Sequence, residues 1–264
     1  MPNINVPYKN IFMILILSIL FNLYQLNSYQ FYSSPTKDVG FWVLLTFGYL
    51  EPDNLLEIIP LLAWFLPQLF LILKLGNYID LEINRNAVYI FTRTNNKVGW
   101  LIKRYVEIFI YTTFYYFLFY LFTILFSLSI HLNIHLNDFV VILFAFIMQI
   151  ITIYFILVIV NTITVYLPTN LSYVVFLGGY FIHILLIGTV INKMQDKFFF
   201  SNISPFINSM VGWQNNSIIH DMQIKNSFFI LKSSNSAILL LIIAILSVII
   251  ILISALLFRR KDIL

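Results

Sequence analysis

The feature that most constrains the fold is the stretch from Phe139 to Asn192, which contains no Asp, Glu, Lys or Arg. About 20 apolar residues span a bilayer, and a charged side chain at its centre costs roughly 2.5 to 3.5 kcal/mol. The stretch is too long for one span and suits two. Only 10% of the 264 residues are charged and the mean hydropathy is +0.92, so the chain lacks the charged surface of a soluble domain. We therefore predict an all-α, polytopic membrane protein.

The uncharged runs predict six spans in a single transmembrane domain, residues 1–264. Their approximate bounds are residues 11–26, 55–75, 106–130, 139–166, 171–191 and 237–258. The fourth span ends before Pro168, because proline disfavours helix for the preceding residue, and Thr169 or Asn170 is expected to cap the fifth. The first run is similar to a signal peptide but lacks a small-residue cleavage site. The mostly apolar segment Val39 to Leu50 is too short to span and predicts an interfacial or re-entrant piece.

Charge placement predicts the orientation. Six spans put both termini on one side, and ten of the fifteen Lys and Arg residues fall on the cytoplasmic side if the termini are cytoplasmic. If Val39 to Leu50 did span, the orientation would reverse. The composition is poor in alanine and rich in Ile, Asn, Phe and Tyr, which is typical of an AT-rich genome. We therefore expect the cytoplasmic membrane of a low-GC bacterium.

The predicted cytoplasmic loop from Gly76 to Arg104 is charged but contains the apolar group Val88 to Phe91. Four large apolar residues outside the membrane need a cover, which lipid headgroups, the rest of the protein or a partner's groove could supply. With a turn at Thr94 to Asn96, this pattern predicts a short docking helix followed by an elbow. A solvated connector is the alternative.

The predicted outer segment Asn192 to Ser236 is rich in aromatic residues and asparagine, without a clean period. Half-helices that dip into the outer leaflet would suit a segment too apolar for a free loop and too broken for a span. An ordinary folded extracellular loop is the alternative.

The order of these elements resembles the ABC-2 type permeases, the membrane subunits of ABC exporters. The similarity covers nearly the whole chain through loose motifs. They are Glu82 followed by Ile90-Phe91-Thr92-Arg93-Thr94, Lys97, Trp100 and Lys103, then Ile203-Ser204-Pro205-Phe206, and the tail Phe258-Arg259-Arg260-Lys261-Asp262.

The resemblance implies a cytoplasmic coupling helix between spans 2 and 3. It implies export of hydrophobic or amphipathic peptides, as in antimicrobial peptide export or self-immunity, with two ATPase copies and a second permease copy or sister permease. ATP and Mg would bind to the ATPase, and this chain would bind no cofactor. The expected ATPase-coupling residues are Glu82, Arg85, Val88, Tyr89, Ile90, Phe91, Arg93 and Lys97.

Residues for chemistry are scarce. None of the eight glycines precedes a lysine, so the chain has no phosphate-binding loop, and there is no cysteine. His131 and His135 are four residues apart, but no Glu lies between them, and we predict no metal site. We expect no enzyme activity and no nucleic-acid partner. A non-transporting assembly or sensory subunit is the first alternative, and an intramembrane lipid-modifying enzyme is a weaker one, since converging acids are missing from the spans.

Polar residues within the spans predict a substrate path. They are Gln68, Tyr116, Tyr120, Asn161 and His183, with Asn161 or Gln149 as the expected partner of His183. Such a lining suits an amphipathic peptide or lipid-like substrate better than an ion. The alternative is that the tyrosines are packing residues and interface anchors.

Overall fold

The computed structural model describes residues 8–30, 37–93, 96–194, 204–226 and 228–260, and for residues 8–10, 28, 30, 86–93, 192–194, 232–233 and 260 it describes the backbone only. The helices are α1 Tyr8–Gln30, α2 Val39–Val43, α3 Ile58–Leu75, α4 Tyr78–Arg93, α5 Lys97–Ser129, α6 Leu136–Tyr166, α7 Thr169–Met194, α8 Pro205–Ser209, α9 His220–Lys225 and α10 Ser236–Arg260. Two short strands, β1 Gln214–Asn215 and β2 Leu231–Asn235, pair in parallel. Helices therefore dominate, as predicted.

Five helical stretches are long and apolar enough to cross a membrane. They are Ile58–Arg85, Lys97–Ser129, Leu136–Tyr166, Thr169–Ile191 and Ser236–Arg259, and α1 adds the shorter apolar stretch Ile11–Asn27. The first of the five joins α3 to α4 across a turn at Gly76 and Asn77. These lengths confirm the prediction of an all-α protein with several membrane spans.

The start of α5 differs most from its predicted position, and the break between α6 and α7 lies where it was predicted. α5 begins at Lys97, nine residues before the predicted start of the third span, because the side-chain oxygen of Asn96 caps it by accepting the Gly99 N–H at 2.8 Å. The predicted break before Pro168 is confirmed by the extended backbone of Leu167. The predicted cap by Thr169 is wrong, since Thr169 is already helical and its hydroxyl lies 3.4 Å from Asp80 Oδ2.

The long helices α5 and α6 form the centre of the bundle, with α1 and α10 packed beside them. The hydroxyl of Tyr105 on α5 lies 2.9 Å from that of Thr162 on α6 and 3.0 Å from that of Ser254 on α10. Lipid tails are as apolar as leucine, so such interhelical hydrogen bonds and close packing hold membrane helices together. We call the end of the bundle where α3, α6 and α10 begin the upper end, and the end where α5 and α7 begin the lower end.

Candidate functional site

The segment Val39 to Leu50 is buried throughout and enters the bundle from the upper end. It consists of α2 and a π-helical turn at Leu44–Gly48 that packs against α6. The Oδ1 of Asn22 on α1 accepts the Trp42 indole N–H at 2.9 Å, and its Nδ2 lies 3.1 Å from the Thr123 hydroxyl of α5. This burial within protein fits the re-entrant alternative for the segment.

A second buried segment enters from the same end. It runs from Ser204 through α8 to a 3₁₀ turn at Val211–Trp213, and nearly every residue in it is buried. Ser204 caps α8, Asn208 Nδ2 donates to the Thr152 hydroxyl of α6, and Trp213 Nε1 donates to the Leu50 carbonyl at 2.8 Å. These contacts show a folded, buried segment that contains the short helix α8.

The two segments meet at Gln149 of α6, which is 2% exposed. Its Nε2 donates to the Phe47 carbonyl at 2.6 Å and to the Ser209 carbonyl at 2.9 Å. Gln149 lies about 20 Å along α6 from its first residue, at 1.5 Å per residue. Buried carbonyls outside a regular helix need a donor, and at this depth one glutamine supplies it to both segments.

Two further glutamines, which follow the second segment in the sequence, donate to backbone carbonyls in the same way. Gln214 Nε2 donates to the carbonyls of Ile207 and Asn208 at 3.1 and 2.9 Å. Gln223 of α9 donates to those of Gly212 and Gln214 at 2.9 and 2.8 Å. The sequence did not predict that these glutamines hold buried backbone carbonyls. For Gln149 a signal was present, because a glutamine within an apolar helix indicates a polar contact.

Glycine allows the two segments to touch. A β-carbon built on Gly212 would lie 2.9 Å from the Tyr49 ring and 3.2 Å from the Gly48 carbonyl oxygen, and one built on Gly48 would lie 3.1 Å from Val211 Cβ. The backbone oxygen cannot turn away as a side chain could. The close approach therefore requires a residue without a side chain at position 212.

We expect Gly212→Ala to lower the free energy of unfolding by about 1 to 3 kcal/mol, the usual cost of overpacking a core. Gly178→Ala on α7 is the matched control, because a β-carbon there meets nothing within 4 Å. It should be neutral or stabilising, since alanine favours helix over glycine. Thermal unfolding of the detergent-solubilised variants measures both, and equal melting temperatures would contradict the close approach.

A small cavity lies beside the Gln149 side chain at this meeting point. Gln68 and Tyr116 line it together with Thr46 and Gln149, and its volume of about 10 Å³ is close to that of one water. Within the described chain, Gln68 Oε1 and the Tyr116 hydroxyl have no hydrogen-bond partner. These two predicted path residues are therefore brought together in the interior of the bundle.

The other predicted path residues lie elsewhere or serve as packing. Tyr120 stacks on Phe47 with ring centroids 4.1 Å apart. His183 Nε2 lies 3.0 Å from the Ser204 hydroxyl, so its expected partnership with Asn161 or Gln149 is wrong, because both amides are engaged by backbone groups. Asn161 donates to the Leu75 carbonyl at 2.7 Å and accepts the Ile79 N–H at 3.1 Å, which clamps the α3–α4 turn onto α6.

A cavity of about 480 Å³ opens at the upper end, between α1, the first buried segment and the start of α3. Its lining includes Tyr24, Gln25, Tyr49, Glu51, Glu57 and Trp64. Tyr49 stacks on Phe228 at 3.8 Å, and its hydroxyl accepts the Phe229 N–H at 3.2 Å. Burial raises the pKa of Tyr49 to about 12, so this hydroxyl stays neutral at physiological pH.

A charged cluster lies at the lower end, where α4 meets α5. Arg104 Nη2 is 3.4 Å from Glu82 of α4, and Nη1 is 2.5 Å from Glu107, which also accepts the Tyr78 hydroxyl at 2.8 Å. The Arg104 guanidinium covers the Trp100 ring at 5.3 Å. Glu82, one of the expected ATPase-coupling residues, is thus paired within the chain and ties α4 to α5.

α4 has two faces in its described part. Ile79 and Ile83 are buried, whereas Leu81 and Arg85 are exposed. Five of the other predicted coupling residues lie in the last part of α4, where the structure describes the helical backbone but not the side chains: Val88, Tyr89, Ile90, Phe91 and Arg93. Lys97 is the first residue of α5. The apolar docking surface therefore remains a prediction.

The histidines gather no metal-ligating set in the described chain, where no group of three or more His, Cys, Asp or Glu side chains could hold an ion. His135 Nε2 instead lies 3.4 Å from Asp38 Oδ1, beside the capped start of α6.

The long apolar helices and the buried polar anchors between them define a multi-pass α-helical membrane protein. A scan against protein-family models found no match, and searches among curated proteins and solved structures found none either.

Proposed function

We propose that the chain is the membrane permease subunit of an ATP-driven ABC exporter that moves hydrophobic or amphipathic peptides. In this proposal α1 is a sixth span, both termini lie in the cytoplasm, and the lower end faces two copies of a separate ATPase. ATP and Mg bind to that ATPase, and a second permease copy or sister permease completes the path.

The observation that carries the proposal is the attachment of α4. Arg104 joins it to α5, and Asn161 joins its start to α6, while Leu81 and Arg85 face outward. α4 is attached to both central helices and has one exposed face. It is therefore suited to transmit a displacement from a partner protein to those helices.

The mechanism follows from these ties. Closure of the ATPase pair on ATP displaces α4, and the buried polar contacts pass the displacement to α5 and α6 as a rigid-body shift. Because Gln149 of α6 holds the carbonyls of Phe47 and Ser209, the shift of α6 carries both buried segments with it at the opposite end. That movement opens the path outward.

We expect Phe91→Asp to abolish substrate-stimulated ATP turnover in the reconstituted complex while the chain stays in the membrane. A charge in an apolar docking surface weakens binding by at least about tenfold. Phe91→Leu, which keeps the surface apolar, is the control and should retain stimulation. Unchanged stimulation in Phe91→Asp would contradict the proposal.

Co-expression with an ABC ATPase encoded next to this gene separates the other candidates. Co-purification with substrate-stimulated turnover supports an exporter. Co-purification without stimulation would indicate an assembly or sensory subunit, and absence of co-purification would leave the lipid-modifying enzyme as the candidate to assay.

A further inference from the structure

The upper cavity has the size and lining of a small-molecule site. Its volume of about 480 Å³ falls within the usual range of roughly 300 to 1,000 Å³ for ligand pockets. Tyr24, Tyr49 and Trp64 form aromatic parts of its wall. A ligand with an apolar body of moderate size would therefore find both room and contact area.

One amide in the wall has an oxygen that accepts no hydrogen bond from the described chain. Gln25 is 5% exposed, and its Nε2 donates to the Leu45 carbonyl at 3.2 Å. Its side-chain oxygen accepts no hydrogen bond from any residue that the structure describes. This oxygen is not sealed from solvent, so it is available to accept a hydrogen bond from a ligand that carries N–H groups.

The charge of the lining determines which charge a ligand can carry. Glu51 and Glu57 line the cavity, and within the described part of the chain neither has a cationic partner within 4.0 Å. Among the described residues, the lining contains no Lys, Arg or His, and Tyr49 is neutral. Two carboxylates beside aromatic rings attract a cation and repel an anion.

We propose that this cavity binds an amphipathic cation, a molecule with an aromatic or alkyl body and a primary ammonium or guanidinium group. The body packs on Trp64 and the two tyrosines, the charge lies between Glu51 and Glu57, and an N–H donates to Gln25 Oε1. That such a cation is the exported cargo rests on the proposed function. That the cavity binds it does not.

The test uses dansylcadaverine, which joins an aromatic body to a primary ammonium, and its neutral N-acetyl derivative. Binding to the full chain in lipid nanodiscs is followed by dansyl fluorescence, with empty nanodiscs subtracted and no ATP or partner protein present. Each carboxylate can raise the affinity for a cation by up to about fivefold. We therefore expect the ammonium form to bind about tenfold more tightly than the acetylated form.

Glu51→Gln/Glu57→Gln should remove this preference. Asp53→Asn is the control, because Asp53 is an exposed acid of the same loop that does not line the cavity. Equal binding of the two probes, no saturable binding of either, or an equal loss in Asp53→Asn would overturn the proposal. Since no ATPase is present, failure here is distinct from failure of the exporter function.

Discussion

Gln149→Leu should destabilise the protein by about 1 to 3 kcal/mol, because it leaves the Ser209 carbonyl buried without a donor and the Phe47 carbonyl with only the Trp64 indole N–H at 3.4 Å. Leucine fills a similar volume, so the loss reports on hydrogen bonding and not on a cavity. Thermal unfolding of the detergent-solubilised protein measures the effect. We also expect faster proteolysis of the segment between α7 and α10, since its anchor on α6 is gone.

Gln68→Leu is the matched control for this experiment. Gln68 is 3% exposed and near the same cavity, but its Oε1 accepts no hydrogen bond within the described chain. The same substitution there removes an unsatisfied polar atom and should be neutral or stabilising. If both variants unfold at the same temperature, Gln149 does not anchor the two segments.

Arg104→Met should cost about 3 to 5 kcal/mol, the largest loss at the lower end. It removes the only guanidinium placed between Glu82 and Glu107 in the described structure and leaves buried carboxylate charge without a counter-ion. Adding Glu107→Met to Arg104→Met should recover much of the loss, because the pair is then replaced by apolar groups. In the reconstituted complex the single variant should also lower coupling, since α4 loses its tie to α5.

Lys103→Met provides the comparison for Arg104→Met. Lys103 is the preceding residue on the same helix, it is exposed, and its substitution removes the same unit of charge. We expect a change within about 0.5 kcal/mol, which is usual for a surface position. A loss as large as that of Arg104→Met would mean that net charge, and not the buried pair, accounts for the effect.

The sequence was informative where the membrane itself imposes the constraint. Charge-free runs predicted the long helices, and Pro168 predicted the break between α6 and α7, because both follow from local backbone chemistry and the cost of burying charge. The early start of α5 was missed, since the cap by Asn96 outweighs the charges of Lys97, Lys103 and Arg104. α5 can carry these charges because, with 33 residues, it is longer than the bilayer is thick, and its first turns lie outside the membrane.

The polar contacts were harder to predict. Their partners are distant in the sequence: Gln149 lies 102 residues from Phe47 and 60 from Ser209, and no local pattern encodes such pairs. The sequence showed that an amide in an apolar helix needs a partner, but gave His183 the wrong one. The pairing of Glu82 with Arg104 was not predicted either, because the two residues lie on different helices and 22 residues apart in the sequence.

Disulfide trapping in native membranes tests the central structural claim, that the two buried segments meet against α6. The chain has no cysteine, so Gly48→Cys/Val211→Cys introduces a single pair. Because a β-carbon on Gly48 lies 3.1 Å from Val211 Cβ, only a small adjustment brings the pair into disulfide range. We predict cross-linking of this pair on mild oxidation and none for Gly48→Cys/Gly178→Cys, where position 178 has no neighbour within 4 Å. Free thiols at positions 48 and 211 after oxidation would contradict the account.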